Sequence, residues 1–203
     1  MARVYVYVDG FNLYYGSCQG RPGRRWLDLG ALSQKLRPAD EIVGIRYFSA
    51  WVRSQSKAVH QATYVRALRT VPGLHDYMSY FSKETRWMSL VHPTATEDQA
   101  EVWKVQEKGS DVNLATYLVL DGIDGLWDEA VVISNDQDLT LPVRRARERR
   151  GPVHVFAPND KPGTDLSKAA TSYQRLFASY VRQCQFPDAM SDAQGTFYKP
   201  AGW

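Results

Sequence analysis

Four aspartates and one asparagine have the residue types and the spacing of a divalent-metal site. Asp9 directly follows the apolar run "VYVYV", and Asn12 stands three residues later. Asp136 and Asp138 come just after a second apolar run, "AVVIS". Carboxylates that lie close together repel one another unless protons or cations neutralise them. Because hard oxygen ligands suit Mg²⁺ or Mn²⁺, these residues predict a site for one of those cations.

The segment "EKGSDVNLA" supplies the fourth aspartate, Asp111, at the start of a predicted helix. Asp111 shares a helical face with Ala115 and Leu118, so we expect it to point inward. A buried charge needs a partner. We therefore predict that Asp9, Asp111, Asp136 and Asp138 are metal ligands and that Asn12 adds a carbonyl ligand or orients a water. In the alternative interpretation these are unrelated structural aspartates, with Asp136 or Asp138 capping the next helix.

The elements that must position these residues alternate between strands and helices. Apolar runs predict strands over 4–8, 41–52, 129–134 and 153–158, and amphipathic or capped segments predict helices over 28–37, 54–73, 110–120 and 139–151. Pro142 is expected in the first turn of the last helix. The segments 74–82 and 86–92 are predicted as extended, and they could form a hairpin with each other. This order predicts an α/β fold with a mostly parallel sheet and helices on both faces. Sites in such sheets form beyond the carboxyl ends of the strands, where Asp9 and Asp136 stand.

Composition narrows the class of protein and the kind of site. The chain has 203 residues, a net charge of +3 and two cysteines, which form no CxxC pair. The sequence contains no motif for a thiolate zinc site, a phosphate-binding glycine loop or a serine-hydrolase elbow. The four histidines are scattered, which disfavours a histidine-based metal site. No signal peptide and no apolar run of about 20 residues is visible, so we expect a cytoplasmic protein without membrane contact.

Charge is distributed unevenly along the chain. Residues 97–138 hold eleven of the 22 acidic residues and only two basic ones, Lys104 and Lys108. A cation site that also binds a polyanion requires an acidic cluster surrounded by basic residues. This distribution of charge is typical of such a site. Solvated acidic helix faces and loops would produce the same pattern.

Three segments together resemble the NYN domain family, in its LabA-like branch, within the PIN-like nuclease superfamily. They are "YVDGFNLYYG", "EKGSDVNLATYLVLDG" and "VVISNDQDLTLPVRRARERRG", and the ending "CQFPDAMSDAQGTFYKPAGW" resembles a tail of that branch. The resemblance implies a single three-layer α/β/α domain, Rossmann-like, over residues 1–203, with residues 184–203 as a C-terminal tail.

The same resemblance implies a divalent-metal site of Mg²⁺ or Mn²⁺ and, most often, cleavage of RNA. The family's first aspartate and its asparagine fall on Asp9 and Asn12, its middle acidic position on Asp111, and its late acidic pair on Asp136 and Asp138. Asn135 stands where the family often has glycine. The cysteine cluster that many relatives carry before the middle motif is missing from residues 89–104.

Basic and aromatic residues provide candidates for RNA contact. Phosphates are bound by Lys and Arg, and bases stack on aromatic rings. The basic candidates are Arg21, Arg24, Arg25, Lys108, Arg144 and Arg145. A solvated helix face and a flexible loop are the structural alternatives for these positions. The sequence leaves homo-oligomerisation open.

The predicted function is metal-dependent hydrolysis of phosphodiester bonds in RNA, most simply in single strands, by an endoribonuclease. Two alternatives remain at this point. The first is a non-catalytic RNA-binding or regulatory module on the same fold. The second is a metal-dependent enzyme acting on a small metabolite, since fold does not fix function.

Overall fold

A seven-stranded sheet forms the centre of the protein. The computed structural model describes residues 1–93, 98–159 and 163–203. The strand order is β4-β3-β2-β1-β5-β6-β7, and every neighbouring pair is parallel except the antiparallel pair β3 and β4. The strands are β1 Arg3–Asp9, β2 Glu41–Ala50, β3 Leu74–Ser89, β4 Gln99–Lys108, β5 Glu129–Ile133, β6 Val153–Ala157 and β7 Ser172–Arg175. The predicted α/β class with a mostly parallel sheet is confirmed.

Helices cover both faces of the sheet, as its long apolar strands require. They are α1 Gly10–Leu13, α2 Leu29–Leu36, α3 Gln55–Leu68, α4 Ser110–Ile123, α5 Thr140–Arg149, α6 Thr164–Ala169 and α7 Ala178–Gln183. Val4, Val6 and Val8 of β1 pack on one side, in an apolar cluster with residues of α2, α3 and α7. Tyr7 packs on the other side with residues of α4, α5 and α6. The predicted three-layer arrangement is therefore confirmed.

A glycine follows Asp9 because the chain passes very close to β2 at that point. A Cβ atom on Gly10 would lie 2.6 Å from the Tyr47 hydroxyl and 2.8 Å from the Phe48 carbonyl oxygen. α1 begins immediately at Gly10, and a π-helical turn, Tyr14–Cys18, continues it. The close contact fixes the direction in which the chain leaves the carboxyl end of β1.

The hairpin predicted between residues 74–82 and 86–92 is wrong. Residues 74–82 and 86–89 belong to one continuous strand, β3, which pairs antiparallel with β4, an element that we did not predict. Only the first half of β3, Leu74–Ser79, pairs with β2. The rest of the hairpin is not covered by the sheet, so polar and charged residues can alternate with apolar ones in both strands. The outer half of this hairpin extends beyond the sheet. Glu97, the first residue of the acidic segment, lies outside the described residues.

The C-terminal residues return to the face of the sheet that α2 and α3 cover. They include a small antiparallel hairpin of β8, Ala189–Asp192, and β9, Gly195–Tyr198. The Trp26 indole N–H donates to the Pro187 carbonyl at 2.8 Å, and its ring contacts those of Phe186 and Trp203. The sequence pattern identified residues 153–158 as the last clear strand, so β7 and this hairpin were missed. No helix of the described residues is long and apolar enough to cross a membrane.

Candidate metal centre

Asp9 ends β1 and is almost completely buried, with 5% of its surface exposed. Its Oδ1 accepts from the Asn12 backbone N–H at 2.9 Å and so caps α1. Its Oδ2 accepts from the Ser134 hydroxyl, also at 2.9 Å. These neutral donors fix the orientation of the carboxylate without supplying a compensating charge.

The carboxyl end of β5 meets Asp9 through a chain of short hydrogen bonds. Ser134 accepts from the Asp136 N–H at 3.1 Å, and the Asn12 Oδ1 accepts from the Asn135 N–H at 3.0 Å. Asn12 therefore ties the ends of β1 and β5 together. Asp136 caps a 3₁₀ turn, Gln137–Leu139, by accepting from the Asp138 N–H at 2.9 Å. The capping interpretation of Asp136 is thus correct for this turn, and metal binding by Asp136 stays a prediction.

Asp111 approaches from the first turn of α4. Gly109 has a φ of +98°, a conformation that suits glycine, and it turns the chain from β4 into this helix. The Glu107 carboxylate accepts from the Ser110 N–H at 3.1 Å and from its hydroxyl at 2.7 Å. This turn holds Glu107 and Asp111 at the same edge of the sheet as Asp9.

Three carboxylates converge at this edge, and we call Asp9, Asp111 and Asp136 the carboxylate cluster. One oxygen from each lies within 4.8 Å of the other two. Burial raises the pKa of Asp9, and the charges of Asp136 and Glu107 raise it further, against the hydrogen bonds from Asn12 and Ser134. Burial, followed by the neighbouring carboxylates, raises the pKa of Asp111 to about 6. Within the described ranges, no lysine or arginine forms an ion pair with the cluster.

The cluster fits a divalent cation. Magnesium takes oxygen ligands at about 2.0–2.1 Å, so opposite ligands on one ion lie about 4 Å apart. The observed spread of up to 4.8 Å needs only a small contraction to meet that distance. Each Asp9 oxygen accepts one hydrogen bond and keeps a second lone pair for a ligand. A cation would also relieve the mutual repulsion that raises the pKa of Asp111.

The cluster opens into a cleft of about 840 Å³ with chemically different walls. Asp9, Asp111, Asp136 and Glu107 form an acidic wall, and Arg21, Arg24 and Arg175 line the same cleft. Phe11, Tyr15 and Phe81 add aromatic surface, and the Phe11 and Tyr15 rings are stacked at 6.1 Å between centroids. The cleft therefore offers oxygen ligands for a cation, guanidinium groups for an anion and rings for a planar group.

Several predicted site residues lie apart from the cluster. Asp138 is exposed and lies outside the three-oxygen group, although its charge helps to raise the pKa of Asp111. Arg25 and Lys108 do not line the cleft within the described residues. Arg144 and Arg145 are exposed on α5, where Arg145 pairs with Glu148 at 2.9 Å. Metal binding by Asp138 and RNA binding by these basic residues stay predictions.

Three groups at the site were not predicted. Ser134 orients Asp9, Glu107 adds a fourth carboxylate to the cleft, and Arg175 lines the same cleft. Glu107 belongs to the segment "EKGSD", so its charge beside Asp111 was an available signal. No sequence signal indicated Arg175, because it reaches the cleft only through β7, an element that the pattern did not show.

Comparison with known proteins identifies the lineage of this site. The model of the NYN domain matches residues 3–177, a span that contains the whole carboxylate cluster. The chain belongs to the NYN domain family. Its sheet order and acidic cleft agree with a PIN-like nuclease fold.

Two individual proteins are similar to this NYN protein. One is 6-hydroxy-3-succinoylpyridine 3-monooxygenase HspA of Pseudomonas putida (strain DSM 28022 / S16), 30% identical over 239 residues, covering 99% of this chain and 75% of the relative. The other is the crystal structure of a protein of unknown function, VPA0982, from Vibrio parahaemolyticus RIMD 2210633. It matches with a TM-score of 0.56 and 17% identity over 87% of this chain and 93% of the other. That second similarity shows the fold alone.

Proposed function

We propose that the protein is a divalent-metal-dependent ribonuclease that hydrolyses phosphodiester bonds in single-stranded RNA. The observation that carries this proposal is the carboxylate cluster, which forms no ion pair with any lysine or arginine of the described residues and opens into a cleft that arginines also line. Three converging carboxylates are unfavourable by themselves, and a divalent cation removes the repulsion. A phosphodiester is an anion, so it would bind both to the metal and to the arginines that line the cleft.

Asp9, Asp111 and Asp136 would hold Mg²⁺ or Mn²⁺, which supplies Lewis acidity and a hydroxide nucleophile when bound. Ser134 and the Asn12 backbone N–H keep Asp9 in its ligand orientation. Arg21 and Arg24 would bind the substrate phosphates. Asp138, exposed beside the cluster, would orient a water or take part in binding a second cation.

The assignment to the LabA-like branch and the cytoplasmic location belong to the same proposal. The branch is supported by the three quoted motifs and by the tail, which packs on Trp26. Two buried free cysteines, Cys18 and Cys184, suit a reducing compartment. RNA is the proposed partner.

A second candidate is a metal-dependent enzyme that acts on a small aromatic compound. The relative named as a 6-hydroxy-3-succinoylpyridine 3-monooxygenase favours it, as do the rings of Phe11, Tyr15 and Phe81 in the cleft. A monooxygenase consumes O₂ and two electrons from a reductant. Oxygen uptake with that pyridine, NADH and added metal tests this candidate directly.

The experiment that tests the ribonuclease is cleavage of an end-labelled single-stranded RNA with Mg²⁺, with Mn²⁺ and with EDTA. Wild type and Asp136→Asn are purified in parallel, so that a contaminating nuclease appears in both. We expect cleavage that requires metal and is lost in Asp136→Asn. Equal cleavage by both proteins would contradict the assignment, and RNA binding without cleavage in any metal would favour the regulatory module.

A further inference from the structure

The hairpin of β3 and β4 presents one open face to solvent. Three pairs of directly opposite residues form it: Lys83 with Val105, Thr85 with Trp103, and Trp87 with Glu101. Opposite residues share a face of the hairpin, and so do alternate residues along each strand. All six residues are exposed, and we call them the arm face.

The arm face continues directly into the cleft. The next pair on the same face, towards the sheet, is Phe81 with Glu107, and both residues line the cleft. Strands rise about 3.4 Å per residue. Trp103, opposite Thr85, therefore lies about 14 Å from Phe81 along the arm, and Trp87 lies about 20 Å from it. A chain that leaves the carboxylate cluster past Phe81 meets the two indoles in turn.

The arm face combines exposed rings with a cation. Trp87 is 68% exposed and Trp103 is 63% exposed. The Lys83 ammonium lies 3.8 Å from the centroid of the Trp103 ring. Aromatic rings beside cations are the recurring means of binding single strands, with base stacking contributing about 1–3 kcal/mol per base.

The size of the arm face argues against a protein partner. Aromatic side chains bury about 150–250 Å² each, and Trp87 and Trp103 are about two-thirds exposed, so the two indoles offer about 200–330 Å². A stable protein interface needs about 800 Å² from each partner. The same area suffices for two or three stacked nucleotides.

We propose that the arm face is a stacking platform for single-stranded RNA, which holds the nucleotides adjoining those in the cleft. This inference rests on the proposed ribonuclease function and specifies its substrate as an oligonucleotide long enough to span both surfaces. Trp87 and Trp103 then determine affinity for long RNA, while a dinucleotide occupies the cleft without reaching them.

The test measures binding and cleavage separately. Binding of a fluorescein-labelled 12-nucleotide oligouridylate is followed by anisotropy in Mg²⁺, with Asp136→Asn as the background that prevents cleavage. Replacing both Trp87 and Trp103 by alanine is expected to raise Kd at least about 10-fold. Replacing both by phenylalanine keeps the rings and should leave Kd within about 3-fold. Hydrolysis of the dinucleotide UpU by the same alanine variants, with Asp136 intact, should equal that of wild type.

Tyr80→Ala is the matched control, because Tyr80 lies on the opposite face of β3 and is 66% exposed. It should leave both measurements unchanged.

Unchanged affinity in the alanine variants, or an equal loss in Tyr80→Ala, overturns the platform while RNA cleavage by wild type still supports the ribonuclease. Absence of both binding and cleavage with wild type overturns the proposed function and the platform together. A concentration-dependent dimer that the alanine variants abolish would show that a second copy covers the face and would overturn the platform.

Discussion

The two ends of α4 carry aspartates in opposite electrostatic surroundings. Asp111, in the first turn, faces the carboxylates of Asp9 and Asp136. Asp121 lies ten residues further, about 15 Å along the helix axis. Its Oδ2 accepts from Arg46 Nε at 2.6 Å and from the Tyr7 hydroxyl at 2.7 Å, and its Oδ1 accepts from Arg46 Nη2 at 2.8 Å. The Arg46 guanidinium also lies over the Tyr117 ring.

The difference is between a carboxylate that has its counterion in the chain and one that faces other carboxylates. Asp121 is only 3% exposed, and its position near the helix C-terminus opposes a negative charge. The bidentate contact with Arg46 therefore offsets the cost of burying this charge. At the other end the helix dipole favours Asp111, but it does not offset burial and four neighbouring carboxylates. Asp121 has its counterion in the chain, whereas the carboxylate cluster forms no ion pair with a lysine or arginine within the described part of the chain.

The largest expected effect is a loss of catalysis when a residue of the carboxylate cluster is replaced. Asp9→Asn should reduce metal-dependent RNA cleavage by roughly 1000-fold, because loss of a ligand removes several kcal/mol of transition-state stabilisation. Asparagine still caps α1, so the far-ultraviolet circular dichroism should be unchanged. Asp121→Asn, assayed below its unfolding temperature, is the matched control and should retain activity. Comparable losses in the two variants would show that the cleft is not where the chemistry occurs.

The next largest effect is on stability, at the C-terminal end of α4, where Asp121 forms an ion pair with Arg46. Asp121→Asn leaves Arg46 buried without its counterion and should lower the free energy of unfolding by about 3–5 kcal/mol. Urea denaturation of wild type and variant measures this loss. Arg46→Met combined with Asp121→Leu removes both charges and should recover much of it. A loss below 1 kcal/mol in the single variant would mean that the ion pair is dispensable.

A smaller effect of opposite sign is expected at Asp111. Its pKa is raised to about 6, so at pH 7 the folded protein holds an unfavourable negative charge that the unfolded chain does not resist. Without metal, Asp111→Asn should raise the free energy of unfolding at pH 7 by about 1 kcal/mol, after allowance for its half-exposed position. With saturating Mg²⁺ the order should reverse, because wild type then gains the binding energy. If the variant is less stable under both conditions, the cluster is not under electrostatic strain.

The smallest effect concerns an exposed compensated carboxylate, Asp128. Hydrogen bonds and charge from Arg3 lower its pKa to about 2. A carboxylate with a lowered folded pKa stabilises the fold above its unfolded value near 4, and this stabilisation is lost as pH falls towards 2. Wild type should therefore lose more stability than Asp128→Asn between pH 4 and pH 2 in thermal unfolding. Parallel pH profiles for the two proteins would show that the Arg3 pair contributes nothing.

Much of the fold follows from local pattern. The predicted strands at 41–52, 129–134 and 153–158 end within two residues of β2, β5 and β6, and Pro142 lies in the first turn of α5. These elements are continuous apolar runs or have clear stop signals, so short-range chemistry determines them. The β3–β4 hairpin was missed because polar and charged residues interrupt the apolar alternation of both strands.

The sequence by itself determined which residues could form the site, since each of Asp9, Asp111 and Asp136 stands where an apolar strand or an inward helical face ends. Tertiary structure alone decided which carboxylates converge, because the order of strands brings β1 and β5 together and the register of α4 brings Asp111 to them. It also gave Asp111 and Asp121 opposite electrostatic surroundings, although the two side chains are chemically identical. Only the packed arrangement places Arg46 beside Asp121 and leaves the carboxylate cluster open, because charge compensation depends on distances that no local pattern contains.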